Sequence, residues 1–585
     1  MDVRSRRVAS WSGALVALVA LAIALFSRAA AAQGNYRLAP VGGRTTLVGG
    51  TGLAYGRDSA SAFLNPATIV RVDPGRLAFA VNFYAFSVAT SNRWYQPGPV
   101  DPRFGDIPKS NAAVTNIDFD TLPGSLCLFL KAGDIGILSR QENKELKEKQ
   151  ARLGICLASV QSSIYSFNAE DYTQSGTFGR TRQAGSIRQT FRRFAIGPSY
   201  AMYVDDQLAI GVSLHFSRAS LRSNIGNTTI TELSGQPPIS SVLYTTSRGD
   251  SHELTATLGA TYRIRHQTLA LAVDAPSLHL FGSGGTNLYT HSDGIGAPAT
   301  LSASADGSFT TNSPLRVALG TGYEVPAGSV ELNVSFQAPL SHAYEASFTG
   351  SSFQSNGATS SDTPFALELG ARSKGAMNIG IGGELFLSPK ISLLGGLNTD
   401  FSAVPKGALR TDPFHYFPSI TNRVAGSFGY GSHGDGGDLL IGGEFSYGWG
   451  GRLVVNPYQL PPRLETADER QYVFLLVLAG STSYKAIRRA VEDVTKALDP
   501  TKTVLPGNEP AREPMGGKKP TRETEPMKTD QQTEVPKAVP AKPEPAKPEL
   551  AKPEPAKPAP AKAMPRMRAP NKPNAKPPAT PPAKP

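Results

Sequence analysis

Residues able to do chemistry are few in this chain of 585 residues, and none of them forms a recognisable catalytic pattern. The eight histidines include no HExxH pair that could bind zinc, and there is no G-x-S-x-G element to present a serine nucleophile. His433–Asp438 (HGDGGD) has the residue types of a calcium loop, but it lies at a predicted tight turn, where Gly and Asp are commonplace, and we favour the turn. Gly50, Gly52 and Gly56 suggest a dinucleotide loop, yet no strand precedes them and no βαβ unit follows. The sequence therefore predicts no enzyme, no metal and no cofactor.

The positive charge of the chain is concentrated at its two ends. Of the formal net charge of +12, residues 1–32 carry +3 and residues 501–585 carry +8, which leaves +1 for residues 33–500. This balance argues against a basic nucleic-acid platform in the body of the chain, and we expect no nucleic-acid partner. Only two cysteines are present, which excludes a disulfide-rich scaffold and a cysteine-built zinc module.

Alternation of apolar and polar or small residues is the main signal in the body of the chain. It is strict in Leu208–Phe216, in Glu253–Ile264 and in Val330–Gln337. Successive side chains of a strand point to opposite faces, so each segment has one apolar face. Beyond residues 1–32 no apolar run approaches 18 residues, which predicts no transmembrane helix. The pattern predicts an all-β protein.

Two all-β architectures use this alternation: a soluble sandwich, and a transmembrane antiparallel barrel that turns its apolar face to lipid. The lengths of the gaps favour the barrel, because long gaps rich in Gly, Ser, Asn and Thr alternate with tight turns. Residues 281–313 or 365–388 leave room for an additional pair. We place the barrel at residues 75–484, with fourteen strands near 76–90, 123–131, 152–166, 190–203, 207–222, 248–264, 268–280, 314–324, 328–340, 365–388, 390–402, 419–431, 438–450 and 470–484.

Two further features of the barrel follow from its strand pattern. Tyr472–Leu478 is apolar on both faces, which suits closure against the first strand, Leu77–Val88. Residues 139–152, between the second and third strands, begin with a capping-box pair and predict a short polar helix. If Lys131 pairs with Arg152 across this insertion, Cys127 and Cys156 are directly opposed. Opposed residues of antiparallel strands lie within disulfide range, so we predict a disulfide between these cysteines.

The segments that flank the body of the chain lack its alternating pattern. Residues 1–32 have a basic start, a 14-residue apolar run and a small-residue end, which indicates a signal peptide cleaved after Ala32. An uncleaved anchor is the less favoured alternative, because the run is too short to span a membrane comfortably. Residues 485–499 predict an amphipathic helix. Residues 500–585 are rich in Pro, Lys and Ala and predict a disordered tail, either without a partner or in contact with the cell wall or a periplasmic protein.

Residues 33–74 contain too much glycine and too little alternation for a lipid-facing strand. Their stretch Gly52–Ala67 (GLAYGRDSASAFLNPA) resembles the N-terminal signature of the FadL/TodX family of outer-membrane transporters. The matching positions are Asp58, Ala60, Ser61, Phe63, Asn65, Pro66 and Ala67. The resemblance implies that residues 33–74 fold into the barrel as a hatch, and that Asp58, Ser61, Phe63, Asn65, Pro66 and Ala67 hold or gate it. An ordinary turn that seals the barrel is the alternative.

The resemblance also implies a function and a location. Members of that family take up long-chain fatty acids or other hydrophobic molecules, so we expect a fatty-acid-like ligand, hatch gating and lateral exit into outer-membrane lipid. Both termini would then be periplasmic. A second hypothesis is a barrel of the same kind that anchors a structure or a secretion machine through its tail. A third and weaker one is a barrel enzyme that acts on lipid.

Overall fold

The computed structural model describes residues 41–92, 113–132, 151–175, 179–232, 235, 237–293, 298–404, 421–434, 436–456 and 463–483. Within them the helices are short: α1 (Gly43–Leu47), α2 (Ser61–Leu64) and a 3₁₀ helix (Pro66–Arg71). No helix in these residues combines the length and apolar character needed to cross a membrane. The three helices precede a single antiparallel sheet that holds nearly all the other described residues.

The sheet closes on itself, because its first strand pairs with its last. Val81 lies opposite Leu478, and Val88 lies opposite Tyr472, which confirms the predicted closure. The strands are β1 (Arg76–Asn92), β2 (Ala113–Lys131), β3 (Arg152–Ser175), β4 (Gly179–Tyr203), β5 (Leu208–Glu232), β6 (Ile239–Ile264), β7 (Gln267–Asp274), β8 (Leu278–Asp293), β9 (Ala299–Thr311), β10 (Arg316–Val325), β11 (Gly328–Gln337), β12 (Leu340–Ser355), β13 (Ser360–Ser373), β14 (Ala376–Ser388), β15 (Ile391–Asp400), β16 (Asn422–Gly434), β17 (Gly437–Asn456) and β18 (Arg463–Ser483).

Eighteen strand segments form a wall of fourteen strands, because four adjacent wall strands are each interrupted once. β6 pairs with β7 along one part of its length and with β8 along the next, so β7 and β8 are two parts of one wall strand. The same holds for β9 with β10, β11 with β12, and β13 with β14. The fold is the predicted transmembrane antiparallel barrel of fourteen strands.

The interruptions have a cause in the sequence. Pro276, Pro314 and Pro339 lie at three of them, and Gly375 lies at the fourth. Proline has no backbone N–H to donate to the ladder, and glycine weakens a strand interior. The predicted strands at 268–280, 328–340 and 365–388 ran through Pro276, Pro339 and Gly375 and were wrong on this point.

The exterior of the barrel is apolar and its interior is polar or small. Along β5, Ile210, Val212 and Leu214 are each more than 40% exposed, whereas Ser213 and His215, which alternate with them, are buried. Outward-facing apolar side chains of this kind recur on the other wall strands. Because large apolar residues cover the outside of a closed wall, the barrel suits a lipid environment.

The strands extend beyond their predicted ends on the side of the long gaps. Residues 167–189 and 223–247 were predicted as gaps, but β3, β4, β5 and β6 fill most of them with paired backbone. Residues 281–313 contain no additional pair, since β8 and β9 continue existing wall strands. These extensions contain much Ser, Thr, Asn and Gly, which is typical of loops. Their backbone groups are nevertheless satisfied by the ladder.

Four predictions fall outside the described residues. They are the signal peptide at 1–32, the polar helix at 139–152 apart from its last two residues, the amphipathic helix at 485–499 and the tail at 500–585.

Candidate functional site

Residues 41–72, which we call the N-terminal segment, lie inside the barrel. Its backbone donates hydrogen bonds from Gly42 to Ser125 Oγ on β2 (3.2 Å) and from Gly49 to Ser427 Oγ on β16 (2.9 Å). On another side, Ser213 Oγ of β5 donates to the carbonyl oxygen of Ala62 (2.7 Å). These strands lie on different sides of the closed wall, so the N-terminal segment is enclosed by it.

Glycines on the inner face of the wall allow this close contact. A Cβ atom at Gly211 would lie 2.5 Å from the backbone nitrogen of Ala67, and one at Gly259 would lie 2.0 Å from Asn65 Oδ1. Both distances are below the van der Waals limit. Any side chain at either position would therefore push the N-terminal segment away from β5 and β6.

Asn65, Pro66 and Ala67 form a buried turn that opens the 3₁₀ helix. Asn65 Oδ1 accepts a hydrogen bond from the backbone nitrogen of Ala67 (3.1 Å), and Asn65 Nδ2 donates to the carbonyl oxygens of Leu53 (2.7 Å) and Ala260 (3.3 Å). Asn65 has extended backbone torsions, as expected before proline, and Pro66 occupies the first turn, where its missing N–H costs nothing. The turn thus joins the N-terminal segment to itself and to the wall.

Asp58, Ser61 and Phe63 have different surroundings. Asp58 accepts hydrogen bonds from the backbone nitrogen of Thr45 (3.0 Å), from Thr45 Oγ1 (3.1 Å) and from the backbone nitrogen of Ala60 (3.1 Å), which holds α1 against the approach to α2. Desolvation raises the pKa of the Asp58 carboxyl above its usual value, and the bonds from Thr45 oppose this rise.

Ser61 is fully buried. Phe63 stacks on His215 of β5, with the ring centroids 4.5 Å apart.

Three buried charged residues outside the motif also hold the N-terminal segment. Glu331 of β11 accepts hydrogen bonds from the backbone nitrogens of Gly52 and Ala54 (both 2.9 Å) and of Tyr55 (3.3 Å). Arg44 of α1 donates to Glu384 of β14 at 2.8 Å. Burial opposes the charge on Arg44, but Glu384 beside it raises the pKa of the guanidinium above its ordinary value.

Sequence analysis did not select Arg44, Glu331 or Glu384 as site residues. A signal for Glu331 was present, because it occupies a polar position in the alternating stretch Val330–Gln337. A carboxylate on the inward face of a barrel strand needs a buried partner. The partners of Glu331 are backbone amides of the N-terminal segment, and the partner of Glu384 is Arg44. The strand pattern alone did not identify these partners.

A chain of polar contacts continues from Glu384 towards the short-turn end of the barrel. Ser392 Oγ lies 2.8 Å from Glu384 Oε1 and 2.8 Å from His433 Nε2. His433 Nδ1 lies 3.0 Å from Asp438 Oδ1, and Asp438 Oδ2 pairs with Arg76 at 2.6 Å. His433 and Asp438 therefore take part in this network. No group of three His, Cys, Asp or Glu residues suited to a metal ion occurs in the residues that the structure describes.

A cavity of about 260 Å³ lies against the N-terminal segment, on the side away from the short turns. The N-terminal segment contributes Leu53, Phe63 and Leu64 to its lining, and the interrupted strands contribute residues beside their breaks, such as Ala275 and Pro314. Most of the remaining lining residues are polar, although apolar atoms supply most of the lining surface. The polar residues include Gln161, Arg193, His215, Ser217, Thr255, Thr257, Asp274, Ser313, Arg316, Asn333, Ser335, Gln337, Asn378, Asn398 and Thr399.

An apolar cluster lies on the inner face of the wall, on the long-loop side of the cavity. Phe309 of β9 and Phe348 of β12 are almost completely buried, and they belong to the same cluster as Phe191 of β4 and Leu221 of β5. Phe309 lies over Gly249 of β6 and Phe348 lies beside Gly284 of β8, so the cluster follows the wall from β4 to β13.

Cys127 and Cys156 face each other inside the wall, and their sulfur atoms are bonded in the structure. Lys131 also lies opposite Arg152, which is the register from which the pairing was predicted. We expect mass spectrometry of non-reduced peptides to find Cys127 and Cys156 in one cross-linked pair. Two alkylated cysteines in protein that was purified and digested without reductant would contradict this prediction.

Comparisons with known proteins give structural neighbours only. No family model and no curated protein matches the chain. Among solved structures, it is similar to the toluene transporter TodX of Pseudomonas putida, with 14% identity, coverage of 76% of this chain and 98% of TodX, and a TM-score of 0.46. The toluene transporter TbuX of Ralstonia pickettii is 15% identical, with coverage of 77% of this chain and 99% of TbuX, and a TM-score of 0.41. A FadL homologue of Pseudomonas aeruginosa is 14% identical, with coverage of 78% of this chain and 99% of the homologue, and a TM-score of 0.42. Identities this low indicate a likeness of fold and do not identify a substrate.

Proposed function

We propose that this protein carries hydrophobic small molecules inward through a bacterial outer membrane, with the N-terminal segment as its hatch. The observation that carries the proposal is the cavity between that segment and the inner face of the wall, whose lining surface is mainly apolar. A ligand in this cavity meets Leu53, Phe63 and Leu64 of the hatch. Burial of its apolar surface at each step favours passage without an energy source.

The proposed orientation follows from the loops. Outer-membrane barrels have short periplasmic turns and longer external loops, so the turns at 265–266 and 389–390 would lie in the periplasm. β1 begins and β18 ends at this same side. Both termini would then be periplasmic, and the apolar cluster would lie on the outer side of the hatch.

We place the lateral exit at the seam between β14 and β15. Backbone pairing of these strands stops at Gly380 and Asn398. Beyond that point the backbone nitrogen of Ile379 donates to Thr399 Oγ1 (2.9 Å), and that of Phe401 donates to Asn378 Oδ1 (2.7 Å). A backbone bond closes the far side of this gap, from the nitrogen of Lys374 to the carbonyl oxygen of Ala403 (3.0 Å). Asn378, Ile379 and Thr399 all line the cavity. Side-chain bonds are exchanged more readily than a continuous ladder, so a ligand can part the seam here.

Exposed apolar side chains flank this seam on the outside of the barrel. Ile379 is 40% exposed, Ile381 is 47% exposed and Leu397 is 63% exposed. A molecule that passes between Ile379 and Thr399 would therefore enter the hydrocarbon of the bilayer without crossing water.

A cross-link across the seam tests both the function and the exit. We expect Ile379→Cys combined with Thr399→Cys, once oxidised, to reduce uptake of a labelled hydrophobic compound by about tenfold, because covalent closure removes the exit. Uptake is measured in cells whose outer membrane carries the protein, against cells without it. The matched control is Leu385→Cys with Leu393→Cys, an opposed and exposed pair in the intact ladder of the same two strands.

The results of the cross-linking experiment distinguish the proposed exit from transport itself. Full uptake through the cross-linked seam contradicts the exit at β14–β15 and leaves transport in place. Equal uptake by cells with and without the unmodified protein contradicts transport. The anchor hypothesis would then gain support if partner capture, but not barrel assembly, were lost from a chain without residues 501–585.

A further inference from the structure

We propose that the outer face of β4, β5 and β6 binds a membrane lipid whose headgroup carries two phosphate groups. The surface is a patch of exposed arginines directly beyond the apolar belt, on the side of the long loops. It consists of Arg188 on β4, Arg218 and Arg222 on β5, and Arg248 on β6, and we call it the arginine patch. The patch lies outside the barrel, so it does not depend on transport through the lumen. In the orientation proposed above, the lipid belongs to the outer leaflet.

The arginine patch begins where the apolar belt ends. On β5 the outward residues from Ile210 to Phe216 are each at least 40% exposed, and the next outward residue is Arg218. Arg218 lies ten residues beyond Leu208, the first residue of the strand. At ~3.3 Å per residue and a tilt of ~35–45°, this corresponds to a height of ~25 Å, which is the height of the apolar band of outer-membrane barrels.

Stacked rings mark the same level of the wall. His252 of β6 lies directly opposite Arg218. Its ring stacks on Phe216 of β5, with the centroids 5.6 Å apart, and on Phe281 of β8, with the centroids 4.4 Å apart. Aromatic rings are enriched where the hydrocarbon of a membrane meets its headgroups. Arg218 therefore lies at the level of the lipid headgroups.

The carboxylates beside the patch compensate its charge only in part. Asp250 of β6 is shared, since it accepts hydrogen bonds from Arg218 (3.1 Å) and from Arg222 (2.9 Å). Arg248 pairs loosely with Asp306 of β9, at 3.7 Å. Arg222 and Arg248 lie directly opposite each other on neighbouring strands, where like charges are destabilising. An anion bound between these two arginines offsets their repulsion.

The exposure and charge of the arginines suit phosphate. The side chains of Arg218, Arg222 and Arg248 are 57%, 46% and 72% exposed, and Arg188 is also exposed. Four arginines against two aspartates leave a formal charge of +2, which two phosphate groups complement. Guanidinium groups bind phosphate oxygens in a bidentate manner, and basic clusters beside a membrane attract anionic headgroups.

The length of the patch indicates that the two phosphate groups are set apart. Arg188 lies opposite Asn224, which is six residues beyond Arg218 along β5. This separation is ~20 Å along the strand, more than a single phosphate group spans. A headgroup whose phosphates are joined through sugars reaches both ends, while its acyl chains lie against the apolar belt below.

A matched pair of lipids tests this inference on the full-length protein in detergent. Diphosphoryl lipid A and monophosphoryl lipid A share their sugars and differ by one phosphate group. We expect native mass spectrometry to show at least ~5-fold tighter binding of the diphosphoryl form, because the second phosphate complements the remaining charge of the patch. Phosphatidylcholine, whose headgroup is neutral overall, is expected to bind more weakly than either.

Substitutions assign this binding to the arginine patch. The triple variant Arg218→Gln, Arg222→Gln and Arg248→Gln is expected to bind diphosphoryl lipid A at least ~10-fold more weakly. The corresponding triple lysine variant keeps the charge and is expected to stay within ~3-fold of the unmodified protein. Heat-modifiability on electrophoresis shows that the barrel is folded in each variant.

A control variant at the short-turn end removes the same amount of charge. It combines Arg263→Gln, Arg265→Gln and Lys390→Gln, three exposed residues at the opposite end of the barrel. We expect its binding of diphosphoryl lipid A to equal that of the unmodified protein. An equal loss in this control and in the triple variant of the patch overturns the proposed site, because net charge alone would then explain the effect.

Three further results would overturn the inference. They are equal binding of the two forms of lipid A, undiminished binding by the triple glutamine variant of the patch, and displacement of bound lipid A by inorganic phosphate as readily as by the same concentration of lipid A. The last result would identify a site for free phosphate instead of a lipid surface. None of them bears on transport, which is measured separately by uptake of a hydrophobic compound.

Discussion

Replacing Glu331 by glutamine is expected to loosen the N-terminal segment inside the barrel. Glu331 is the acceptor for three backbone N–H groups of the hatch, at Gly52, Ala54 and Tyr55. Glutamine can keep its oxygen at the position of Oε1, which accepts from Gly52 and Ala54, but its NH₂ group then faces the N–H of Tyr55, so one charge-assisted bond is lost and two become neutral. At roughly 1.5–3 kcal/mol for a bond to a charged group and about 0.5–1.5 kcal/mol for a neutral one, docking of the N-terminal segment weakens by about 3–6 kcal/mol.

Hydrogen exchange and conductance measure this effect. A loss of 3 kcal/mol corresponds to roughly a hundredfold faster exchange of the amides of Gly52 and Ala54. Ion conductance through the barrel in a planar bilayer should rise as the N-terminal segment leaves its position inside the wall. Glu345→Gln is the control, because Glu345 lies on β12 and its side chain is 52% exposed. Unchanged exchange in Glu331→Gln would show that other contacts hold the hatch.

The second large effect is expected at the buried pair of Arg44 and Glu384. Their side chains are 9% and 3% exposed, and the pair joins α1 of the hatch to β14. Removal of one partner of a buried ion pair costs about 3–5 kcal/mol, because the other charge is left uncompensated. Arg44→Met is therefore expected to release α1 from the wall, with faster exchange of the amides of residues 43–48.

The double variant Arg44→Met with Glu384→Leu distinguishes a charge effect from lost packing. Apolar replacement of both partners of a buried pair is often neutral, so we expect exchange in the double variant to be slower than in Arg44→Met alone. If the double variant is as loose as the sum of both single variants, the pair does not act as a charge-compensated unit. Retained heat-modifiability on electrophoresis would show that the barrel itself remains folded in each variant.

The N-terminal motif illustrates what residue types can and cannot specify. Asn65 and Pro66 were selected by their resemblance to a family signature, and Asn65 has partners within the hatch and on β6. The N-terminal segment is also held by Arg44, Glu331 and Glu384, which lie up to 340 residues apart in the chain. No local pattern brings such positions together, so they were missed.

The sequence by itself determined the class of the fold and the number of wall strands. A period of two specifies which face of each strand is apolar, and this local property held from Leu208 to Phe216 and at Val330 to Gln337. It also determined the closure of the last strand on the first and the register that opposes Cys127 and Cys156. Only the tertiary structure decided the length of the strands beyond the apolar belt, the buried contacts of Arg44, Glu331 and Glu384, and the cavity beside the N-terminal segment. The physical reason is that alternation depends only on which face of each strand contacts lipid. The contents of the lumen depend on contacts between residues that are distant in the chain.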